Sequence, residues 1–207
     1  MDTAAEPQVR DLGDRRPFAE VHRAMIALLD QVHRGESPGE VWLLEHEPVY
    51  TAGRATLASE LTDETFQILP IERGGKVTFH GPGQLVIYPI VQLPHRDVRR
   101  WLRALERFGM TICERFGLEA QPSLDGTGVF VGERKVASIG VHIKHWINLH
   151  GIAMNVDMDL ESFERVRPCG LDPSVMSDLS RELSRKVTMD EVKEAARSVL
   201  PGLLTGE

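Results

Sequence analysis

Disulfides, membrane spans and surplus positive charge are all missing from this chain. Two cysteines, Cys113 and Cys169, in 207 residues are too few for the disulfide framework of a small secreted domain. No charged-then-apolar leader opens the sequence, so a reducing, cytoplasmic location is expected. The longest apolar run, around Leu85 to Val91, is broken by Tyr88 and Pro89 and falls far short of the roughly 20 residues of a spanning helix; no membrane partner is expected. A net charge of −7 argues against generic nucleic-acid binding, while leaving room for a local basic face. The Gly-Lys-Ser/Thr ending of a phosphate-binding loop and the Gly-x-Gly-x-x-Gly helix start of a dinucleotide fold are both absent. So are the Cys-x-x-Cys and His-x-x-x-His pairs of common zinc sites. His142, His145 and His150 crowd one region and could be joined by Cys169, but on a strand His142 and His145 would face opposite sides. Neither a metal nor another cofactor is expected.

What is present suffices for one full core, with 42% hydrophobic residues and no repeat, low-complexity tract or linker. Residues 1–16 are polar and read as a flexible N-terminal segment, leaving 17–207 as a single domain. Phe18, Val21, Met25, Leu28 or Leu29 and Val32 recur at helical spacing between Pro17 and Gly35. Val98, Trp101, Leu102, Leu105, Phe108, Ile112 and Phe116 do so ahead of Gly117. Arg99, Arg100, Arg103, Glu106 and Arg107 lie mostly off that second stripe, and Cys113 lies near it. "LESFERV" reads as a short helix. Thr188 and Glu191 form a capping box for a last helix that Pro201-Gly202 should end. Strands are expected at 40–46, 66–71, 76–80, 84–93, 128–131, 135–144 and 147–156, separated by glycine turns. Strands grouped beside segregated helices predict an α+β domain with a largely antiparallel sheet.

Three features can carry chemistry. "RGGKVTFHGPGQ", residues 73–84, is rich in glycine and proline, so its backbone N–H groups can approach a ligand, although a tight hairpin explains it equally well. Cys169 stands between Pro168 and Gly170, a rigid frame that leaves a thiol uncovered. Such a thiol becomes a nucleophile when a nearby cation favours the thiolate. Lys135, His80, His142, His150, Arg165 and Arg167 are candidates. Lys135 opens an apolar strand directly after a turn, where a long cation can point into a cleft or simply cap the strand end.

Taken in order, "WLLEHEPVYTAGR" (42–54), "RGGKVTFHGPGQLVIYPI" (73–90), "RKVASIGVHIKHWINLHGIAMNV" (134–156) and "RPCGL" (167–171) resemble the lipoyl(octanoyl) transferase family of lipoate biosynthesis. The resemblance implies a single octanoyltransferase domain with the fold shared by biotin and lipoate protein ligases. It implies transfer of an octanoyl group from octanoyl-acyl carrier protein to a lysine of lipoyl domains, in 2-oxoacid dehydrogenases and the glycine-cleavage H-type protein. The same resemblance makes Cys169 the carrier of an acyl thioester and Lys135 its partner. It places substrate binding at Arg73, Gly74, Gly75, Lys76, Val77, Thr78, Phe79 and His80, at Ser138, Ile139 and Gly140, and at Gly151, Ile152 and Ala153. Thioester-to-amide exchange is downhill, so no nucleotide is needed, and a monomer is expected. Val77, Phe79, Ile139 and Ile152 are candidate walls of an acyl tunnel. His80 and His150 either orient polar groups near the dyad or are hydrogen-bonded core histidines. Arg99, Arg100, Arg103 and Arg107 form either a docking face for the carrier protein or a solvated helix face. Two rival readings share the fold: an ATP-dependent lipoate or biotin protein ligase, and a non-catalytic acyl-binding scaffold.

Overall fold

The computed structural model describes residues 6–57, 67–123, 127–166 and 171–206. In chain order its elements are β1 (Gln8–Arg16), α1 (Phe18–His33), β2 (Glu40–His46), β3 (Val49–Ala52), β4 (Ile68–Pro70), β5 (Val77–His80) and β6 (Gln84–Ile90). These are followed by α2 (Val98–Arg115), β7 (Ala120–Pro122), β8 (Gly128–Val131), β9 (Arg134–Lys144), β10 (Ile147–Asn155), α3 (Leu179–Leu183) and α4 (Met189–Thr205). A seven-stranded sheet runs β1-β2-β6-β10-β9-β8-β7, and a three-stranded sheet runs β4-β3-β5. The large sheet is antiparallel except for the β1–β2 pair. No helix among the described residues is long and apolar enough to cross a membrane.

The central strands are apolar on both faces because both are covered. Val41, Leu43, Leu85 and Ile87 pack with Trp101, Leu105, Phe108 and Ile112 of α2 and with Val192, Ala196 and Leu200 of α4. The alternate residues Trp42, Leu44, Val86 and Tyr88 pack against Val21, Met25, Leu28 and Leu29 of α1. Asp97 accepts a hydrogen bond from the Arg100 N–H at the start of α2, and the Thr188–Glu191 capping box opens α4 as its sequence predicts. The small sheet stands beside α1, where the Phe18 ring lies 6.5 Å from His80 of β5.

The structure corrects several expectations. Residues 8–16 form strand β1 rather than a flexible segment, while residues 1–5 lie outside the described residues. An edge strand with most of its residues exposed has no apolar alternation to reveal it. Backbone pairing to β2, the Arg10–Glu40 ion pair (3.2 Å) and the Asp11–Lys193 ion pair (3.0 Å) hold it. α4 does not end at Pro201-Gly202 but continues to Thr205 and closes on Gly206 at φ 76°. A proline deletes one helical hydrogen bond, and here Leu200 and Leu203, buried on either side of it, offset that loss. Glu106 is not off the α2 stripe; it is 1% exposed. The short β3 and β7 and the five-residue α3 carried too few residues for a period to be read.

A variant lacking residues 1–16 should unfold at a lower urea concentration than the full chain, because it loses the β1–β2 ladder and both ion pairs. An unchanged midpoint in equilibrium urea titration would show that β1 contributes nothing to stability.

Candidate active site

The site begins as a deficit of side chains. In the β9–β10 ladder Gly140 pairs with Gly151 and Ser138 with Ala153, and residues two apart on a strand share a face. These four small residues therefore form a low floor on the same face of the sheet as Tyr88. Larger side chains are excluded by contacts underneath and above. A Cβ on Gly151 would lie 2.3 Å from the Ile87 carbonyl oxygen, and one on Gly140 would lie 3.1 Å from Arg73 Cδ and 3.2 Å from the Gly74 carbonyl oxygen.

The glycine-rich loop roofs that floor. Gly74 N–H donates to the Val141 carbonyl at 2.9 Å, seating the loop on β9. The Arg73 guanidinium, 6% exposed, donates to the Lys76 carbonyl (2.7 Å), the Gly74 carbonyl (3.1 Å), the Thr51 carbonyl (3.0 Å) and Thr51 Oγ1 (2.9 Å). Floor and roof enclose a cavity of about 470 Å³, within the range of small-molecule sites. Arg73, Gly75, Lys76, Thr78 and His80 from the roof line it, and so do Ser138, Ile139, Gly140, Gly151, Ile152 and Ala153 from the floor. Gly74 holds the loop without lining the cavity. Val77 and Phe79 also lie off it, against the expectation that they form its walls. β5 alternates, and Phe79 turns toward Tyr50 (4.9 Å between centroids) and Phe163 (5.8 Å). Thr78 Oγ1 is buried and has no hydrogen-bond partner among the described residues, so a cavity-lining hydroxyl remains able to bind a guest.

Lys135 lies at the far end of the β9 lining and is 2% exposed. On an unbroken strand Lys135 and Ser138 would face opposite sides. Between β8 and β9 the register steps from Val129–Ala137 to Phe130–Lys135, a bulge that advances β9 by one extra residue and brings Lys135 round to the cavity. Its Nζ donates to the Thr127 carbonyl at 3.4 Å and lies 5.8 Å from the Phe130 ring centre. Gly128 clears the way, since a Cβ there would lie 2.7 Å from Lys135 Cε. Cys169 falls within residues 167–170, outside the described residues. Leu171, two positions after it, lines the cavity, and Ser177 N–H donates to the Lys135 carbonyl at 2.9 Å. Cys113 is fully buried in the α2 core, and burial pushes its thiol up to about 12.

At the other end is a polar cluster whose extent the sequence did not disclose. His150, at φ 63° in mid-strand, donates or accepts through Nε2 at 3.0 Å from Glu72, and His22 Nε2 lies 3.0 Å from the same carboxylate. His46 bridges the Arg16 carbonyl and Tyr88 Oη, each at 3.0 Å, and His80 Nδ1 lies 2.7 Å from Gln84 Oε1. Bonds from His150 and then His22 hold the Glu72 carboxyl well below the ordinary carboxylate range. Burial lowers His150, and it lowers His46 to about 4 and His80 to about 3. His22, Glu72 and His150 are the described residues whose ligand atoms converge within 4.8 Å, but Glu72 already pairs with both histidines, an arrangement that needs no ion. His142, His145 and His150 do not converge on one site, because His145 stacks on His33 at 3.9 Å and His150 pairs with Glu72. Tyr88, Gln121, Thr127 and Phe130 also line the cavity without any motif to mark them. The aromatic and polar signals at these positions look like ordinary strand and turn composition.

Comparison with known proteins fits this architecture. Residues 18–200 match the family model of the lipoyl protein ligase A/B catalytic domain. The octanoyltransferase of Pelobacter propionicus is 44% identical over 86% of this chain and 86% of its own length. That of Geobacter metallireducens is 38% identical over 95% of this chain and 92% of its own. Among solved structures, lipoate-protein ligase A bound with ATP superposes with a TM-score of 0.74 at 19% identity, over 96% of this chain and 86% of that one. Biotin protein ligase from Aquifex aeolicus in complex with biotin and ATP gives 0.59 at 11% identity, over 95% and 70%. These structural likenesses establish the common fold.

Two of the depressed histidines, His46 and His80, set a pH dependence. Unfolded, each takes up a proton as pH falls below about 6.5; folded, His46 resists until about 4 and His80 until about 3. The unfolded state thus binds more protons in that window, and stability must fall as pH drops through it, by on the order of 2 kcal/mol per histidine at pH 5. Urea midpoints should decline between pH 7 and pH 5, with a shallower decline in His46→Gln. A wild-type midpoint that stays constant over this range would refute the assignment.

Proposed function

Because this chain belongs to the octanoyltransferase family within the lipoyl protein ligase A/B catalytic domain, we propose that it moves an octanoyl group from acyl carrier protein to a lysine of a lipoyl domain. Cys169 carries the acyl group between the two, and Lys135 is its acid–base partner. The observation that supports this most is the buried Lys135 at one end of a trough floored by small residues, with Leu171 on the same cavity lining. An acyl chain can lie along the floor from Lys135 toward Gly140. Five residues of strand at about 3.3 Å each span roughly 16 Å, ample for eight carbons. Burying about six methylenes at about 0.8 kcal/mol each contributes on the order of 5 kcal/mol, enough for the trough to select chain length.

The chemistry runs in two balanced steps. In the first, the Cys169 thiolate attacks the thioester carbonyl carbon, backbone N–H groups of the glycine-bearing segments stabilise the oxyanion, and the carrier thiolate leaves, taking its proton from the Lys135 ammonium. In the second, the amine of the incoming lysine attacks the Cys169 thioester, a C–N bond replaces the C–S bond, the Cys169 thiolate is released, and the amine proton passes to Lys135 and restores its ammonium. As an ammonium Lys135 favours the thiolate; as an amine it accepts the proton. The buried Cys113 has no part in either step. Lipoyl-domain proteins are the acceptor class, with the 2-oxoacid dehydrogenases and the glycine-cleavage H-type protein as specific acceptors.

Intact-protein mass spectrometry after mixing with octanoyl-acyl carrier protein should show one added octanoyl group in the wild type and none in Cys169→Ser. An unmodified wild type would support a binding scaffold, and transfer that proceeds only from free octanoate with ATP would support a ligase. The trough has its own test. Ala153→Leu places a branched side chain where the acyl tail lies and should cut kcat/KM for octanoyl transfer about fiftyfold, the equivalent of three methylenes. Short acyl groups should retain activity, and an undiminished octanoyl rate would place the chain elsewhere.

A further inference from the structure

A buried carboxylate that the proposed reaction does not use stands one peptide unit away from Lys135. Glu106 belongs to α2, between Leu105 and Phe108 of the apolar stripe, and is 1% exposed. Packing of α2 on β8 needs no charge at this position, and burying a carboxylate is costly unless it is well partnered. Its partners are specific. Oε2 accepts from Arg103 at 2.5 Å, and Arg103 reaches out to solvent. Oε1 accepts from the Gly128 backbone N–H at 3.3 Å.

That N–H belongs to the same peptide unit as the Thr127 carbonyl, and this carbonyl accepts from Lys135 Nζ at 3.4 Å. In a trans peptide the N–H and C=O point in opposite directions. Fixing the Gly128 N–H on Glu106 therefore turns the Thr127 oxygen away from α2 and toward Lys135. The peptide does not fix itself. Gly128, at φ 152°, has no Cβ and tolerates rotation of its amide, yet glycine is required there because a Cβ would lie 2.7 Å from Lys135 Cε. Thr127 Oγ1, donating to the Ile139 carbonyl at 3.0 Å, anchors the upstream side. Among the described residues the Lys135 ammonium has this one carbonyl and the Phe130 ring for company, so the carbonyl's direction decides where Nζ sits.

We infer that Glu106 is a positioning residue for the acyl-transfer lysine: its carboxylate, acting through the Thr127–Gly128 peptide, holds the carbonyl that aims Lys135 Nζ. The inference rests on the reading of Lys135 as the acid–base partner. A charged acceptor also polarises the peptide it binds and strengthens the carbonyl on the other side, but reach matters more than charge. The residue must span from α2 to the Gly128 N–H.

The test is octanoyl transfer from octanoyl-acyl carrier protein to a lipoyl domain by the full chain carrying Glu106→Asp, Glu106→Met, Glu106→Gln, Lys135→Ala or Glu106→Met with Lys135→Ala. Asp keeps the charge but falls short, and Met keeps the length but cannot accept. Each should lower kcat about tenfold or more while KM for the lipoyl domain stays within about twofold, the loss expected when a buried backbone donor is left without its acceptor. Gln keeps both reach and an acceptor oxygen and should recover most of the rate. In the Lys135→Ala background Glu106→Met should cost almost nothing further. The inference is overturned if Asp or Met turns over at the wild-type rate, if Gln is as slow as Met, or if the Met loss multiplies undiminished onto Lys135→Ala. Should Met fail to unfold cooperatively in urea, the Asp–Gln pair still decides. A Lys135→Ala enzyme with full turnover would instead remove the acid–base reading itself, a result separate from any obtained at Glu106.

Discussion

Between β9 and β10, Gly140 pairs with Gly151 and Ser138 with Ala153. This run of small side chains on one face of a hydrogen-bonded ladder is the constraint from which the cavity, its roof and its length follow. Packed sheets stand about 10 Å apart because side chains fill the space between them. Where those side chains are small, the roof loop and the sheet leave a cavity between them. The glycines are not interchangeable with alanine. Gly151 is pressed from the neighbouring strand by the Ile87 carbonyl, and Gly140 from above by Arg73 and Gly74. Floor and roof thus specify one another, and neither can change alone.

The polar end of the slot imposes a second condition. His150 pairs with Glu72, which also holds His22 of α1, and Glu72 directly precedes Arg73 at the start of the roof loop. One carboxylate therefore ties the first helix, a central strand and the cavity roof together. His46, Tyr88 and Arg16 extend the tie to the end of β1. Such a network is stable only when every member is satisfied, and each buried histidine here has a partner: His46 the Arg16 carbonyl and Tyr88, His80 Gln84, and His150 Glu72. The distant β1 edge and the cavity are then parts of one structure.

Legibility in the sequence followed the strength of the local pattern. β2 and β8 have the bounds that their apolar runs predict, and α1 and α2 match their stripes to within a residue or two, because each buries a face whose period is written in the residues themselves. β1 carries no such period, since it is held by its backbone and by ion pairs to residues far along the chain. Most of the segments that line the cavity were legible by motif, but their geometry was not. The bulge that swings Lys135 into the cavity depends on how β8 and β9 register, and no property of "RKVASIG" alone announces it. Glu106 was hidden for a related reason: on a helical wheel it resembles a solvated charge, and only the approach of Gly128 makes it an interior group.

The buried cations separate architecture from chemistry. Arg73 distributes its guanidinium over carbonyls of Gly74, Lys76 and Thr51 and over the Thr51 hydroxyl, and a planar fork so engaged has a single orientation. It acts as a rivet in the roof, and its place on the cavity lining follows from that role. Lys135 is buried more deeply, yet among the described residues a single carbonyl receives its ammonium. A lysine left with uncommitted donors inside a cavity is poorly placed for stability, because its desolvation is only partly offset. It is well placed to exchange a proton with a guest, since three rotatable donors need only one fixed point to aim them. The fold spends a second buried charge, Glu106, on fixing the peptide that supplies that point. A glutamate and a lysine held in the interior on either side of one peptide bond are hard to justify by packing, and they follow naturally if Nζ must be held in one position while its proton is free to leave.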